Sequence, residues 1–326
     1  MPDVNIGELS ATVWERKFGT KPTDQIFTSR AFFFSMGEDG FREEANGGRV
    51  FEHGFEYAEN SNFHAYTEYE ELDASAMSVF DAYRYDQKIC AGTVVISELA
   101  RLRAEVAAAG AGKYPLLEIK LNNGKNSHIA DMNRQLLGSA ATGADINGIQ
   151  VIISTTPTTG TVGGVNRATY SFARNRQNSG AQSVTAYDNL RAAMTTTYNQ
   201  CSLGGVENVP RWICTDRPSM QGYEQILVAI EQIAEAKMKK DSDIAFMNDM
   251  LKFKGAQMFF DEDAPAGNMY FYNNVNLKVD YLKGGWMKMY PAQAPYNQLT
   301  NVHRVMTVAN LATNAGRHLG VVSAIT

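Results

Sequence analysis

The sequence predicts an α+β chain whose extensions outrun its core, and three observations lead there. RVFEHGFEYAENSNFHAYTEYEELD (Arg49–Asp73) alternates side-chain character in two runs, the signature of a long β-hairpin. YPLLEIKLNNGKNSHIADMNRQLLG keeps a helical stripe through Leu117, Leu121, Ile129, Met132 and Leu136. From about Asp145 helical and strand patterns interleave, which indicates a compact mixed α/β domain.

Taken in order, residues 1–48 read as an arm. TDQIFTSRAFFFSM has a helix start at Thr23 or Asp24 and apolar positions Ile26, Phe27, Ala31, Phe32 and Phe34. Such a short helix makes no core alone, so it must pack on something else, another chain included. In the hairpin the polar tetrapeptide Glu59-Asn60-Ser61-Asn62 is the expected turn, and His53 and His64 are expected to face each other across it. Isolated two-stranded ribbons are marginal in water, so this one is expected to lie across neighbouring subunits. Ala76–Ile96 is rich in β-favouring residues, and SELARLRAEVAAAG follows as a helix with Ser97 as N-cap, Leu99, Leu102 and Val106 on one face and Gly110 as stop.

The stripe after Pro115 is interrupted by Asn122-Asn123-Gly124, a hairpin signal, and by Lys125, yet keeps phase; one locally weakened helix of about 25 residues, roughly 37 Å long, is the expectation. INGIQVIIS reads as a buried strand, and TTPTTGTVGGVNRATYSFARNRQNSGAQ as loop-rich. VTAYDNLRAAMTTTYNQC is amphipathic, PRWICTD a strand, and RPSMQGYEQILVAIEQIAEA a helix with Tyr223, Leu227, Ile230 and Ile233 inward. LKFKGAQMFFD and GNMYFYN read as strands joined by the turn Asp261–Gly267; GGWMKMY and NVHRVMTVANLATN flank the loop PAQAPYNQLT as a second hairpin.

The 326 residues carry 35 acidic and 30 basic side chains, a net charge of −5 that argues against a basic nucleic-acid reader. Three widely spaced cysteines (Cys90, Cys201, Cys214) read as buried thiols in a reducing compartment. The N-terminal stretch lacks the apolar core of a secretory signal, and no apolar run is long enough to span a bilayer.

Catalytic signatures fail one by one. AGAGKY (Ala109–Tyr114) has Tyr114 where a phosphate loop needs Ser or Thr, and GTVGGV (Gly160–Val165) lacks dinucleotide-loop spacing, leaving a flexible loop. Asp261, Glu262 and Asp263 lack the alternation of a calcium loop and read as a solvated turn. The histidines His53, His64, His128, His303 and His318 have no zinc spacing, and Glu70 and Glu71 point to opposite faces of a strand. No catalytic residue, metal or cofactor is assigned.

The order of these parts resembles the major capsid proteins of tailed bacteriophages, of the Hong Kong 97-type fold. NGGRVFEHGFEY is similar to the approach to that family's extended loop. CAGTVVISELARLR, the long helix and LLGSAATGADINGIQVIIS look like its spine and the exit into the axial domain; GGVNRATYSFARN and LKFKGAQMFFDEDAPAGNMYFYNNVNLKV are similar to patterns of one capsid branch. The resemblance implies an N-terminal arm (1–48), an extended loop (49–75), a peripheral domain (76–144 and 281–326) with its spine at 115–137, and an axial domain (145–280). It implies inter-subunit contacts at Glu56, Tyr57, Glu59, Asn60, Phe63, Tyr66, Glu68, Tyr69 and Glu70, and at Gln293, Tyr296, Asn297 and Asn301 in the peripheral loop. Basic groups near the spine, or Arg101 and Arg103, are the expected counterparts of the loop's acids.

The implied partner is the chain itself, in hexamers and pentamers of a virion shell assembled in host cytoplasm around double-stranded DNA, without sequence-specific binding and without a membrane. Portal and scaffolding proteins are implied as well, with a decoration protein left open. Any scaffold is expected to be a separate chain or already removed. Some relatives weld their shells through a lysine of the extended loop; here no lysine stands between Lys21 and Lys88, so no such crosslink is expected. Two alternatives remain: an encapsulin-like nanocompartment shell, and an α/β enzyme with its site in 145–280.

Overall fold

The computed structural model describes residues 30–37, 40–73, 75–99, 116–140, 143–182, 187–231 and 251–325. In chain order these form helix α1 (Ala31–Ser35), strands β1 (Arg42–Ala45), β2 (Val50–Glu56), β3 (Phe80–Asp86) and β4 (Lys88–Ser97), and the long helix α2 (Leu116–Leu137). Then come α3 (Ile149–Ile152), β5 (Thr161–Val162), β6 (Val165–Asn166), β7 (Arg176–Gln182), α4 (Tyr187–Cys201), β8 (Trp212–Thr215) and α5 (Arg217–Glu231). The chain ends with β9 (Lys252–Phe253), β10 (Ala256–Phe260), β11 (Met269–Tyr272), β12 (Leu277–Leu282), β13 (Lys288–Gln293), β14 (Thr300–Thr313) and β15 (Gly320–Ile325). Thr23, Asp24, Arg101, Arg103, Leu102, Val106, Gly110, Val184, Ile233 and the AGAGKY stretch lie outside the described residues.

Two compact units emerge. One holds the described parts of Cys90–Asp131 and Met287–Thr307; the other holds those of Ser29–Ile89, Met132–Trp286 and Val308–Thr326. In the first unit β13 runs antiparallel to the first half of β14, from Lys288 opposite Met306 to Gln293 opposite Val302, and β4 also pairs with β14. Cys90 and His128 are buried there, with His128 Nε2 2.8 Å from Thr307 Oγ1. Here α2 continues unbroken through Asn122-Asn123-Gly124, as its in-phase stripe predicts, because packing against a strand outweighs the weak helical preference of those three residues. Gly124 has a specific job: an added Cβ would collide with Val94 Cγ2 of β4.

The second unit is built on a six-stranded mixed sheet in the order β7-β15-β11-β8-β10-β9. Its central strands β8 and β11 are buried along their whole length, so both faces are covered. On one face Leu190, Ala193, Met194 and Tyr198 of α4, spaced three and four residues apart, pack on Ile213, Met258, Phe271 and Val322. Close approach needs Gly320, where a Cβ would stand 2.6 Å from Thr197 Cγ2 and 2.7 Å from Cys201 Sγ. Elsewhere in the unit Phe32 lies 5.7 Å from Tyr272 and Phe41 5.9 Å from the same ring. The aromatic helix α1 therefore finds its cover within its own chain. Burying each such ring is worth about 1.5–3 kcal/mol.

Four expectations are corrected. Residues 63–72 form no strand: β2 pairs antiparallel with β3, from Val50 opposite Asp86 to Glu56 opposite Phe80. INGIQVIIS is not a strand but carries the single turn α3, since a buried apolar run is equally compatible with either form. It folds back on the end of α2, with Ile146 N donating to Gln135 Oε1 (3.1 Å) and Gln150 Nε2 to the Leu137 carbonyl (2.9 Å). GTVGGV is not a loose loop but the hairpin β5/β6, its two-residue turn made by Gly163 and Gly164 at φ 55° and 83°. Finally, β10 and β11 are not neighbours, because β8 lies between them, parallel to β10 and antiparallel to β11. The sequence also groups 281–326 with 76–144, whereas β15 pairs with β7 and β11 in the sheet of the second unit.

Candidate inter-subunit surface

The ribbon β2/β3 is anchored at one end and open at the other. Its base inserts Phe51, Tyr83 and Tyr85 into a cluster with Val162, Val165, Ala173 and Ala312. Tyr85 Oη donates to the Thr313 carbonyl (3.3 Å) and accepts from Thr313 N (3.2 Å), and Asn310 Nδ2 donates to the Asp86 carbonyl (2.7 Å). Further out, Phe55 stacks at 4.4 Å on Tyr83 and 5.2 Å on Phe172. Beyond Glu56 and Phe80 the ladder ends, and residues 57–79 form a loop stitched by side-chain bonds to backbone. Tyr57 Oη donates to the Ser78 carbonyl (2.7 Å), Asn62 Nδ2 to the Ser75 carbonyl (2.8 Å) and Tyr66 Oη to the Asn62 carbonyl (3.0 Å); Thr67 N donates to Glu70 Oε2 (3.1 Å). Asn, Ser, Thr and Asp offer the backbone such local partners, which explains why a segment with strand-like alternation does not extend.

This stitching leaves the apolar side chains outside. Phe63 is 85% exposed, Tyr69 92% and Leu72 73%. Six acids (Glu56, Glu59, Glu68, Glu70, Glu71 and Asp73) surround them, with no lysine or arginine between Arg49 and Arg84. Exposed aromatics ringed by one sign of charge describe an adhesive surface that has no partner in its own chain. The loop between β13 and β14 repeats the theme with Tyr296 fully exposed and Leu299 86% exposed.

Of the residues singled out in the sequence, Glu56, Glu59, Asn60, Phe63, Glu68, Tyr69 and Glu70 are exposed around the first loop, and Gln293, Tyr296 and Asn297 around the second. Three are committed internally. Tyr57 lies 5.9 Å from Phe172, half-buried Tyr66 holds the loop together, and Asn301 Nδ2 donates to Glu98 Oε2 (2.7 Å). Leu72, Phe80 and Leu299 are exposed apolar positions that the sequence reading passed over; alternation through Phe80-Asp81-Ala82-Tyr83-Arg84-Tyr85 was the available signal for the first two. His53 and His64 do not meet. His53 stands opposite Tyr83, and the His64 ring lies 4.1 Å from Tyr66.

The other candidate groups serve packing. Asp261 is fully buried rather than in a solvated turn: its carboxylate accepts from Phe32 N (3.0 Å), Asn133 Nδ2 (3.1 Å) and Asp263 N (3.0 Å). Glu262 pairs with Arg217 at 2.5 Å. Burial pushes the Cys201 thiol up to about 12 and Cys214 well above its ordinary value, so neither is a thiolate near neutral pH. Among the described residues no group of three or more His, Cys, Asp or Glu could hold a metal ion, and no helix is long and apolar enough to cross a membrane.

No protein-family model and no curated protein matches the sequence. Solved structures do match along nearly the whole chain. The capsid of cyanophage A-1(L) superposes with a TM-score of 0.67 at 13% identity, over 95% of this chain and 96% of that one. The capsid of a native GTA particle gives 0.62 at 11%, over 98% of both chains. The SrpI encapsulin of Synechococcus elongatus gives 0.61 at 8%, over 96% and 94%. The chain has the Hong Kong 97-type capsid fold. Within the capsid fold, the ribbon with its acidic aromatic loop and the β13–β14 loop are the parts whose apolar side chains find no cover in their own chain.

Proposed function

We propose that this chain is the major capsid protein of a tailed phage, assembling with copies of itself into the icosahedral head shell that encloses a double-stranded DNA genome. The single observation that carries the reading is surplus surface: Phe63, Tyr69 and Leu72 stand in solvent on a loop that its own hydrogen bonds hold in shape. A preformed loop of this kind loses little ordering entropy when a neighbour covers it. The whole-chain likeness to capsids supports the same reading.

In this reading Glu56, Glu59, Asn60, Phe63, Glu68, Tyr69 and Glu70 meet the adjacent subunit, with Tyr57 and Tyr66 holding their support. Gln293, Tyr296, Asn297 and Asn301 belong to a second contact. Each rim ion pair contributes only about 0.2–1 kcal/mol, so the acids set register while the aromatics supply adhesion. Repetition over many copies makes weak contacts durable. Portal and scaffolding proteins are the further partners, the virion is the location after assembly in host cytoplasm, and no catalytic step is assigned.

Electron microscopy of the purified chain tests this. Closed shells are expected, and a discrete monomer at high concentration rejects the reading. Replacing Glu59–Met77 by a short Gly-Ser linker should leave a folded subunit that no longer assembles. The encapsulin likeness supports a second reading, a nanocompartment shell. Packaged DNA in native particles selects the first reading, and a cargo protein selects the second.

A further inference from the structure

One ionisable pair ties the ribbon to the sheet beneath it. His53 Nε2 of β2 lies 2.5 Å from Asp280 Oδ2 of β12, with the two side chains 11% and 3% exposed. The other carboxylate oxygen of Asp280 is buried without a hydrogen-bond partner. The surroundings offer little to replace His53. Glu43 of β1, the register partner of Asp280, is occupied by Lys278 at 2.7 Å. Tyr85 of β3 presents its ring edge to His53 at 6.3 Å, while its hydroxyl is engaged with Thr313; Tyr83 stands opposite His53, with buried Arg167 interacting with both tyrosines. Asn310 of β14, the register partner on the other side of Asp280, donates to the Asp86 carbonyl.

We propose that His53 and Asp280 form a pH-dependent latch that seats the ribbon on the sheet while the carboxylate is ionised and releases it in mild acid. Near neutral pH the ionised carboxylate accepts from the imidazole ring in either of its charge states, most strongly when that ring is protonated. Once the carboxylate takes up a proton, an imidazolium is left in a largely buried place without a counter-charge, which favours lifting the ribbon into water. Burial holds the Asp280 carboxyl above its ordinary value, with the His53 hydrogen bond acting against it, so release comes at milder acidity than an exposed carboxylate would give. The other attachments of the ribbon base, the Tyr85 and Asn310 hydrogen bonds and the apolar cluster, do not titrate in that range. The consequence for a shell rests on the capsid reading; the latch itself does not.

Hydrogen exchange of the full-length chain tests it, with protection expressed relative to the intrinsic rate at each pH and β8 and β11 amides as internal reference. Between about pH 7 and about pH 4.5, β2 and β3 protection should fall roughly tenfold or more while the reference amides hold. Asp280→Asn should abolish the step, and His53→Gln should give low, pH-independent protection of the same amides. A wild-type ribbon without the step, or a step that survives in both variants, overturns the latch. Particle formation, scored separately by microscopy, reports on the capsid reading alone.

Discussion

Asp261 carries more of the fold than its neighbourhood in the sequence suggests. In FDEDAPAGN it looks like one of three interchangeable acids; in the structure it alone is buried, and its oxygens fix the start of α1 and the side chain of Asn133. Asp261→Ala should cost about 1–3 kcal/mol in urea unfolding, the penalty for stranding buried donors. Asp261→Asn keeps one acceptor oxygen and should cost less. Burial raises the Asp261 pKa, so ionisation penalises the folded state at neutral pH and the penalty disappears as pH falls through the folded value. The stability of the wild type relative to Asp261→Asn should therefore rise between about pH 7 and pH 4. Gly320 gives a purely steric case. Gly320→Ala places a methyl 2.6 Å from Thr197 Cγ2 and should destabilise by about 1–3 kcal/mol in thermal or urea unfolding. Neither role was legible in the sequence, because burial and close approach are set by residues more than a hundred positions away.

At the scale of elements, period was a better guide than composition. The stripe from Leu117 to Leu136 gave α2 despite Asn-Asn-Gly, and the spacing of Leu190, Met194 and Tyr198 gave α4. Gly124 in the middle of α2 should be worth replacing on propensity, by about 1 kcal/mol, yet its place against Val94 reverses the sign. Gly124→Ala alone should lower the melting temperature, and Gly124→Ala with Val94→Ala should recover much of the loss. Full additivity of the two single effects in a double-mutant cycle contradicts that contact. Period misled in Phe63–Leu72, where alternation without a hydrogen-bonding partner made no strand. The partner of β2 is β3, and only pairing decides which of two alternating runs extends.

For the whole molecule the economy of the ribbon is the main consequence. Residues 57–79 keep five acids and no basic group, so no lysine there can reach an asparagine of a neighbour. Mature particles should run as a single band at 36.0 kDa in denaturing electrophoresis, and a ladder of larger covalent species contradicts a shell held by contacts alone. The sequence by itself determined the order of arm, ribbon, long helix and mixed domain, and the acidic, aromatic character of the loop, since these depend on neighbours in the chain. Only the tertiary structure decided that β3 closes the ribbon, that β8 inserts between β10 and β11, and that Asp261 and Asp280 are buried. Those outcomes follow from contacts between residues far apart along the chain, where the free energy of burial and pairing is settled and local periodicity carries no information.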